Sequence, residues 1–198
     1  VALHDSRARS AIRLSALPSG ADYVFSQERM AATLLAGVVY PVRCRGEWIA
    51  HQTPGRWWDS LYTWDAGFTA IGLSTIDPGL ALGHVAKYLV APDSPDACAF
   101  VHYGTPVPTQ LYAFKEAWEQ SPDPAVLRDF FPRLCRYHRF LAGRFPNSTT
   151  RPFASGLLAT WDYFYNSGGW DDYPPQQWVH RHKLAGSVAP VANTAHAI

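Results

Sequence analysis

Apolar positions recur at helical spacing along most of the chain. Ala31, Leu34, Leu35 and Val38 occupy the i, i+3, i+4, i+7 positions of one face and predict a helix over 25–38, ended by Pro41. Leu61, Trp64, Phe68 and Ile71 repeat the pattern and predict a second helix. Asp77-Pro78 is a start signal, a carboxylate that can cap backbone N–H groups followed by a residue that has none. Ala81, Val85, Tyr88 and Leu89 then share a face, which predicts a helix over 78–90. Leu111, Phe114 and Trp118 predict another over 108–119. Asp123-Pro124 opens the longest helix, whose broad stripe of Leu127, Phe130, Phe131, Leu134, Tyr137, His138 and Leu141 runs through residue 142. Pro132 is expected to kink or divide it, and Gly143 and Pro146 to end it.

Between these helices the pattern breaks. Residues 42–50 have no helical period, are interrupted by Gly46, and read as a loop or short strand. Residues 91–106 and 146–156 read as polar loops, and 193–198 as the first turn of a helix. Residues 1–22 form a polar lead-in arm, leaving 23–198 as one domain. Helices joined by short links, with no strand–helix–strand alternation, predict an all-α architecture of stacked helical hairpins. The sequence begins with Val and stops within a helical pattern, so it is expected to be a fragment, or one of two pieces of a longer polypeptide. An apolar helix face left bare by a missing neighbour would make such a piece poorly soluble alone.

Composition narrows the function. A net charge of +1 gives no basic patch for nucleic acid and no acidic tail. No apolar run reaches membrane-spanning length, and no signal peptide is visible. Cys44, Cys98 and Cys135 are far apart, without metal-ligand spacing, and are expected as buried thiols. Asn147-Ser148-Thr149 is a formal glycosylation triplet, too common by chance to fix a compartment. The unusual feature is 8 Trp and 10 Tyr, many of them beside Asp or Gly, where they can wall a site for a flat ligand.

Two stretches concentrate this chemistry. In Ser167-Gly168-Gly169-Trp170-Asp171-Asp172-Tyr173-Pro174-Pro175, two carboxylates lie between a Trp and a Tyr. The glycines permit a tight turn, and the prolines are expected to stop any helix and stiffen the exit. A pyranose can stack its apolar face on such rings while its hydroxyls bond to the acids. A carboxyl packed against Trp can also be raised in pKa until it donates a proton. The bland alternative is a solvated turn anchored by its Trp. In the second stretch, Thr53 to Phe68, a Pro54-Gly55 turn is followed by Arg56, Trp57, Trp58, Asp59, Trp64 and Asp65 around a loop-to-helix junction. Asp65 falls near the helix start, where the helix dipole favours an anion. Here the bland alternative is that Asp59 caps the helix and the tryptophans pack.

The first stretch resembles the Ser-Gly-Leu-Asp-Asp-Tyr-Pro signature of glycoside hydrolase family 63, which includes α-glucosidase I and bacterial α-glucosidases. It is similar also to the Glu-Ser-Gly-Trp-Asp segment of the related trehalases. Pro54-Gly55-Arg56-Trp57 through Trp64-Asp65 resembles the Pro-Gly-Gly-Arg-Phe to Trp-Asp region of trehalases and the Trp-Asp helix start of family 63. The two motifs follow in the family's order. The resemblance implies part of an (α/α)6 toroid and an inverting α-glycosidase acting on an α-linked glucoside or related sugar. It makes Asp171 the general acid, Trp64 and Asp65 the pair that holds the sugar to be cleaved, and Arg56 and Trp57 the wall of that subsite. Trp58 and Asp59 lie beside that wall, and Trp170, Asp172 and Tyr173 would shape the loop around the acid. No residue here matches the family's catalytic base, which is expected on further sequence. The rest of the polypeptide, or a second chain, would complete the ring. No cofactor is implied. The family sometimes carries a structural calcium, and no ligand cluster in this sequence marks one.

The chain also departs from the pattern. It has an extra Gly before Trp170, Gln176 where family 63 often has Arg, and Asn166 where trehalases have Glu. These differences bear on substrate more than on fold. Other readings of the same residues are a non-catalytic sugar-binding or scaffold protein, a trehalase-like hydrolase, and a polysaccharide lyase. The low density of Arg and Lys near the paired acids counts against a lyase.

Overall fold

A computed structural model of the chain describes residues 19–44, 47–53, 62–94, 107–146, 148–159 and 173–198. These residues are mostly helical. A 3-10 turn, Gly20–Tyr23, leads into helix α1 (Val24–Ala36). An antiparallel pair follows, β1 (Val38–Cys44) and β2 (Glu47–Gln52). Then come α2 (Thr63–Ser74), α3 (Pro78–Ala86), α4 (Thr109–Gln120) and α5 (Pro124–Leu141). The last elements are α6 (Pro174–Arg181) and the short α7 (Val191–His196). The described residues are therefore compatible with the all-α expectation, with one hairpin added.

That hairpin replaces the expected end of the first helix. The helix stops at Ala36, and Gly37 donates back to the Thr33 carbonyl at 3.1 Å. Pro41 lies inside β1, at the irregularity in register between Val39, opposite His51, and Val42, opposite Ile49. A proline has no N–H for the ladder, and a bulge is where a strand can hold one.

Both Asp-Pro signals behave as capping chemistry predicts. Asp77 Oδ1 accepts from the N–H of Gly79 at 2.9 Å and of Leu80 at 3.2 Å. Asp123 Oδ1 accepts from Ala125 at 2.7 Å. The third helix closes at Ala86, short of the expected residue 90. The longest runs unbroken from Pro124 to Leu141 through the exposed Pro132, so it is not divided. It terminates as expected, with Gly143 in the left-handed region at φ 67° just past the C-cap Ala142. Pro174 does the reverse of what was expected. It opens α6, because a helix's first turn has no use for the N–H that proline lacks.

The core lies between α2, α3, α4 and α5. Ala70, Val85, Leu89, Ala113, Phe114, Phe130, Leu134, Tyr137, Phe140 and Leu141 form one buried cluster. Leu73, Ala81 and Ala117 form a second, against which Leu34 and Leu35 of α1 pack. On α2 the buried residues are Thr63, Ala66, Gly67, Thr69, Ala70, Leu73 and Ser74. This corrects the face read from hydropathy, since Phe68 is 52% exposed and Trp64 and Ile71 are only half-buried. Small residues let α2 approach α4 closely. A methyl group at Gly67 would fall on the Cβ and Oγ1 of Thr109 and within 2.7 Å of its carbonyl carbon.

Arg136 of α5 ties the turn after α3, donating to the carbonyls of Pro92 at 2.9 Å and of Ser94 while lying 4.4 Å over the Phe145 ring. At the other end α7 docks on the body. Tyr112 OH meets His196 Nδ1 at 2.7 Å, His138 Nε2 meets the Ala197 carbonyl at 3.1 Å, and Leu158 N–H donates to Thr194 Oγ1 at 3.0 Å. Cys135 is a free, exposed thiol on α5, contrary to the burial expected of it. Among the described residues no helix is long and apolar enough to cross a membrane.

Gly67→Ala should destabilise the chain by about 1–3 kcal/mol through overpacking. The helix propensity of Ala, worth about 1 kcal/mol over Gly, acts in the opposite direction. Urea unfolding followed by circular dichroism measures the difference.

Candidate functional site

Of the residues singled out from the sequence, Trp64, Asp65 and Tyr173 are described. Arg56, Trp57, Trp58, Asp59, Trp170, Asp171 and Asp172 lie outside the described residues. Trp64 and Asp65 occupy the first turn of α2, as the pattern predicted. Tyr173 is the N-cap of α6 and is 46% exposed.

The start of α2 rests on a buried polar layer. Tyr62, the N-cap, is extended, and its carbonyl accepts the first helical bond from Ala66 at 3.0 Å. The same carbonyl accepts from Tyr88 OH at 3.4 Å. The next carbonyl, of Thr63, accepts from Gln110 Nε2 and, at 3.3 Å, from Thr109 Oγ1. Tyr137 OH in turn donates to Gln110 Oε1 at 3.0 Å. Thr63, Thr109, Gln110, Tyr88 and Tyr137 are all buried. Side chains from the turn after α3 and from α4, the latter backed by Tyr137 of α5, thus fix the carbonyls of Tyr62 and Thr63 at the start of the helix that carries Trp64 and Asp65. Helix carbonyls seldom need a second donor, and here the extra donors hold the turn in place.

Above this layer the side chains are only partly covered. Trp64 meets Phe68 edge-on, with centroids 5.3 Å apart and planes at 86°, and Asp65 is half-buried. The Asp65 carboxylate acts on the Tyr88 phenol below. Burial, then Tyr137, then Asp65 raise that phenol well above its ordinary pKa, so it stays a neutral donor. An aromatic surface beside an anion at a helix N-terminus can stack a ring and accept from its hydroxyls.

Asp171 falls between Ala159 and Tyr173, outside the described residues. Thr150 Oγ1 donates to the Leu141 carbonyl at 2.9 Å, and Ala159 N–H donates to the Thr150 carbonyl at 2.8 Å. At the far end the Tyr173 carbonyl accepts from Gln176 and Gln177 at the start of α6. Among the described residues no group of three or more His, Cys, Asp or Glu is arranged to hold a metal ion.

The sequence reading missed the supporting layer. Tyr88 and Tyr137 were placed on apolar faces, and their hydroxyls carry the bonds. Gln110 directly follows the Pro108-Thr109 helix start, a signal that an amide would be placed at the end of a helix, though not toward which carbonyl. His51 and His84 give no sequence signal. They stack at 4.5 Å beneath the same layer, with His51 Nε2 3.1 Å from Tyr88 OH. Compared with known proteins, the chain matches no family model, no curated protein and no solved structure.

Gln110→Leu should cost about 1–3 kcal/mol, because it strips a donor from the Thr63 carbonyl and the acceptor from Tyr137. Tyr137→Phe should cost about 1 kcal/mol. The double variant should cost less than the sum, since both changes break the same chain of bonds. Denaturant midpoints of the three variants test this coupling.

Proposed function

We propose that the chain is part of an inverting α-glycosidase, built on an (α/α)6 toroid and acting on an α-linked glucoside or a related sugar. The observation that carries the reading is the Trp64-Asp65 pair on the first turn of α2, clamped from below through the carbonyls of Tyr62 and Thr63. A subsite must hold its ring within a fraction of an ångström, and side chains on a braced helix start meet that need better than side chains on a loop. The paired helices α2–α3 and α4–α5, each joined by a three-residue link, are the hairpin unit such a ring repeats. Large apolar side chains left exposed, Phe25, Met30 and Phe131 among them, give further hairpins a surface to cover.

In this reading Asp171 protonates the glycosidic oxygen. A carboxylate on a further segment activates water on the opposite face, roughly 6.5–9.5 Å away. Asp65 accepts from sugar hydroxyls, and Trp64 stacks on the ring. Arg56 and Trp57, flanked by Trp58 and Asp59, wall the subsite, while Trp170, Asp172 and Tyr173 shape the turn around the acid.

The test uses the complete polypeptide with kojibiose, nigerose, trehalose, mannosylglycerate and related α-glycosides. Wild type should cleave at least one, and Asp171→Asn should lose about 10²- to 10⁴-fold in kcat while remaining folded. Proton NMR of the first product should show the β-anomer. Prompt release of the α-anomer would exclude inversion, and an undiminished rate in the variant would remove Asp171 from the mechanism. Binding of sugars without cleavage by either protein would point to a non-catalytic sugar binder.

A further inference from the structure

Beneath the start of α2 the β-hairpin meets the helical body through two imidazoles. His51, near the end of β2, and His84, on α3, lie face to face with planes within 5°, each 1% exposed. The Tyr62 carbonyl can only accept, so one proton arrangement satisfies both contacts of Tyr88. His51 Nε2–H donates to Tyr88, and Tyr88 donates to the carbonyl. Among the described residues His51 Nδ1 and both nitrogens of His84 find no protein partner. The pair does not chelate a metal ion. Imidazole lone pairs lie in the ring plane, so parallel stacked rings direct them past one another.

The stack does not accommodate two charged rings. Two cations cannot lie face to face at 4.5 Å in the protein interior. Among the described residues, the charged and titratable groups around it offer no compensation. On α3 and its following turn, the Lys87 ammonium opposes a charge on either ring, and Tyr88 is held neutral. Asp65 of α2 and Tyr137 of α5 act on Tyr88. Burial and then Lys87 bring His51 down to about 4, while burial, then His51, then Lys87 bring His84 to about 2.

We propose that the His51–His84 stack is a pH-operated latch, which fastens the β1–β2 hairpin to α3 while both rings are neutral and releases it, with the helical core intact, when they take up protons. Helices α2 to α5 pack on one another through clusters of their own, which gives the body contacts to keep when the hairpin lifts. At its base Thr53 N–H and Oγ1 both donate to the Gly37 carbonyl at 2.9 and 3.1 Å, and β2 also approaches α1. That junction is placed to act as a hinge.

The direction follows from proton counting. Both folded values lie below the ordinary 6.5, so the closed form binds fewer protons than the open form. Closure is at full strength above pH 6.5 and weakens as pH falls from there toward 4 for His51 and on toward 2 for His84. Between pH 8 and pH 5 the opening constant should rise about thirtyfold per ring, or about a thousandfold for the pair. The latch does not depend on what the α2 site binds.

Hydrogen exchange of the full chain, corrected for intrinsic rates, tests it from pH 8 to pH 5. Protection over 47–53 should fall about a thousandfold relative to 109–120 and 124–141. His84→Phe, which keeps a flat ring, should reduce the fall to about thirtyfold, and His51→Phe with His84→Phe should abolish it. Proton NMR of the eight wild-type histidines supplies a check that needs no variant. In the closed form two imidazoles should stay neutral down to pH 5. The proposal is overturned if 47–53 tracks the helices throughout, if every histidine titrates near 6.5 with the hairpin in place, or if the double variant keeps the full pH dependence.

Discussion

The close approach of α2 to α4 is the constraint on which the rest depends. Gly67 lies against Thr109, and this contact brings Thr109 and its neighbour Gln110 within reach of the Thr63 carbonyl. One residue type therefore has two effects. It lets two helices pack at short range, and it allows side chains of one to bond to the backbone of the other. A bulkier residue at 67 would separate the helices and break the bonds together. The apolar clusters around Ala70, Ala113 and Ala117 extend the same principle, with small side chains at the seam and large ones from α3 and α5 closing over it.

The polar layer joins fold and site. Buried hydroxyls and amides are costly unless paired, and here they are paired to carbonyls that belong to the turn presenting Trp64 and Asp65. Stability of the helical body and geometry of the candidate subsite are consequently the same set of bonds. The imidazole stack stands at the edge of this layer and is its least satisfied part.

Where structure is set by local chemistry, the sequence was a good guide. Asp77-Pro78 and Asp123-Pro124 announce helices because the cap and the capped N–H groups are two or three residues apart. The helix start at Trp64-Asp65 was legible from apolar spacing instead, since its N-cap Tyr62 makes no side-chain cap bond. Three readings failed where the deciding partner is distant or the residue type is ambiguous. The hairpin was legible only as a loop or short strand over 42–50, because a strand is completed by its register partner, and Pro41 read as a helix stop when it sits in a bulge. Hydropathy favoured Trp64, Phe68 and Ile71 over Ala66, Gly67 and Ala70, because it weighs side-chain size and close packing rewards its absence. Pro174 read as a terminator, although proline suits the first turn of a helix as well as the residues beyond its end. The stack of His51 on His84 joins a strand to a helix and leaves no periodic trace.

The bond from Leu158 to Thr194 closes a circuit of 36 residues whose two ends meet on the helical body. A chain tethered at a neck pays for closure only logarithmically in its length, about 0.6 kcal/mol for each doubling. Around α6, which buries none of its side chains, residues can be gained or lost at little thermodynamic penalty, provided the neck persists. Asp171 and α6 both fall within it. The architecture thus separates a part of the molecule that must keep its dimensions from a part whose length natural variation can revise, and the chemistry read from the sequence straddles the border between them.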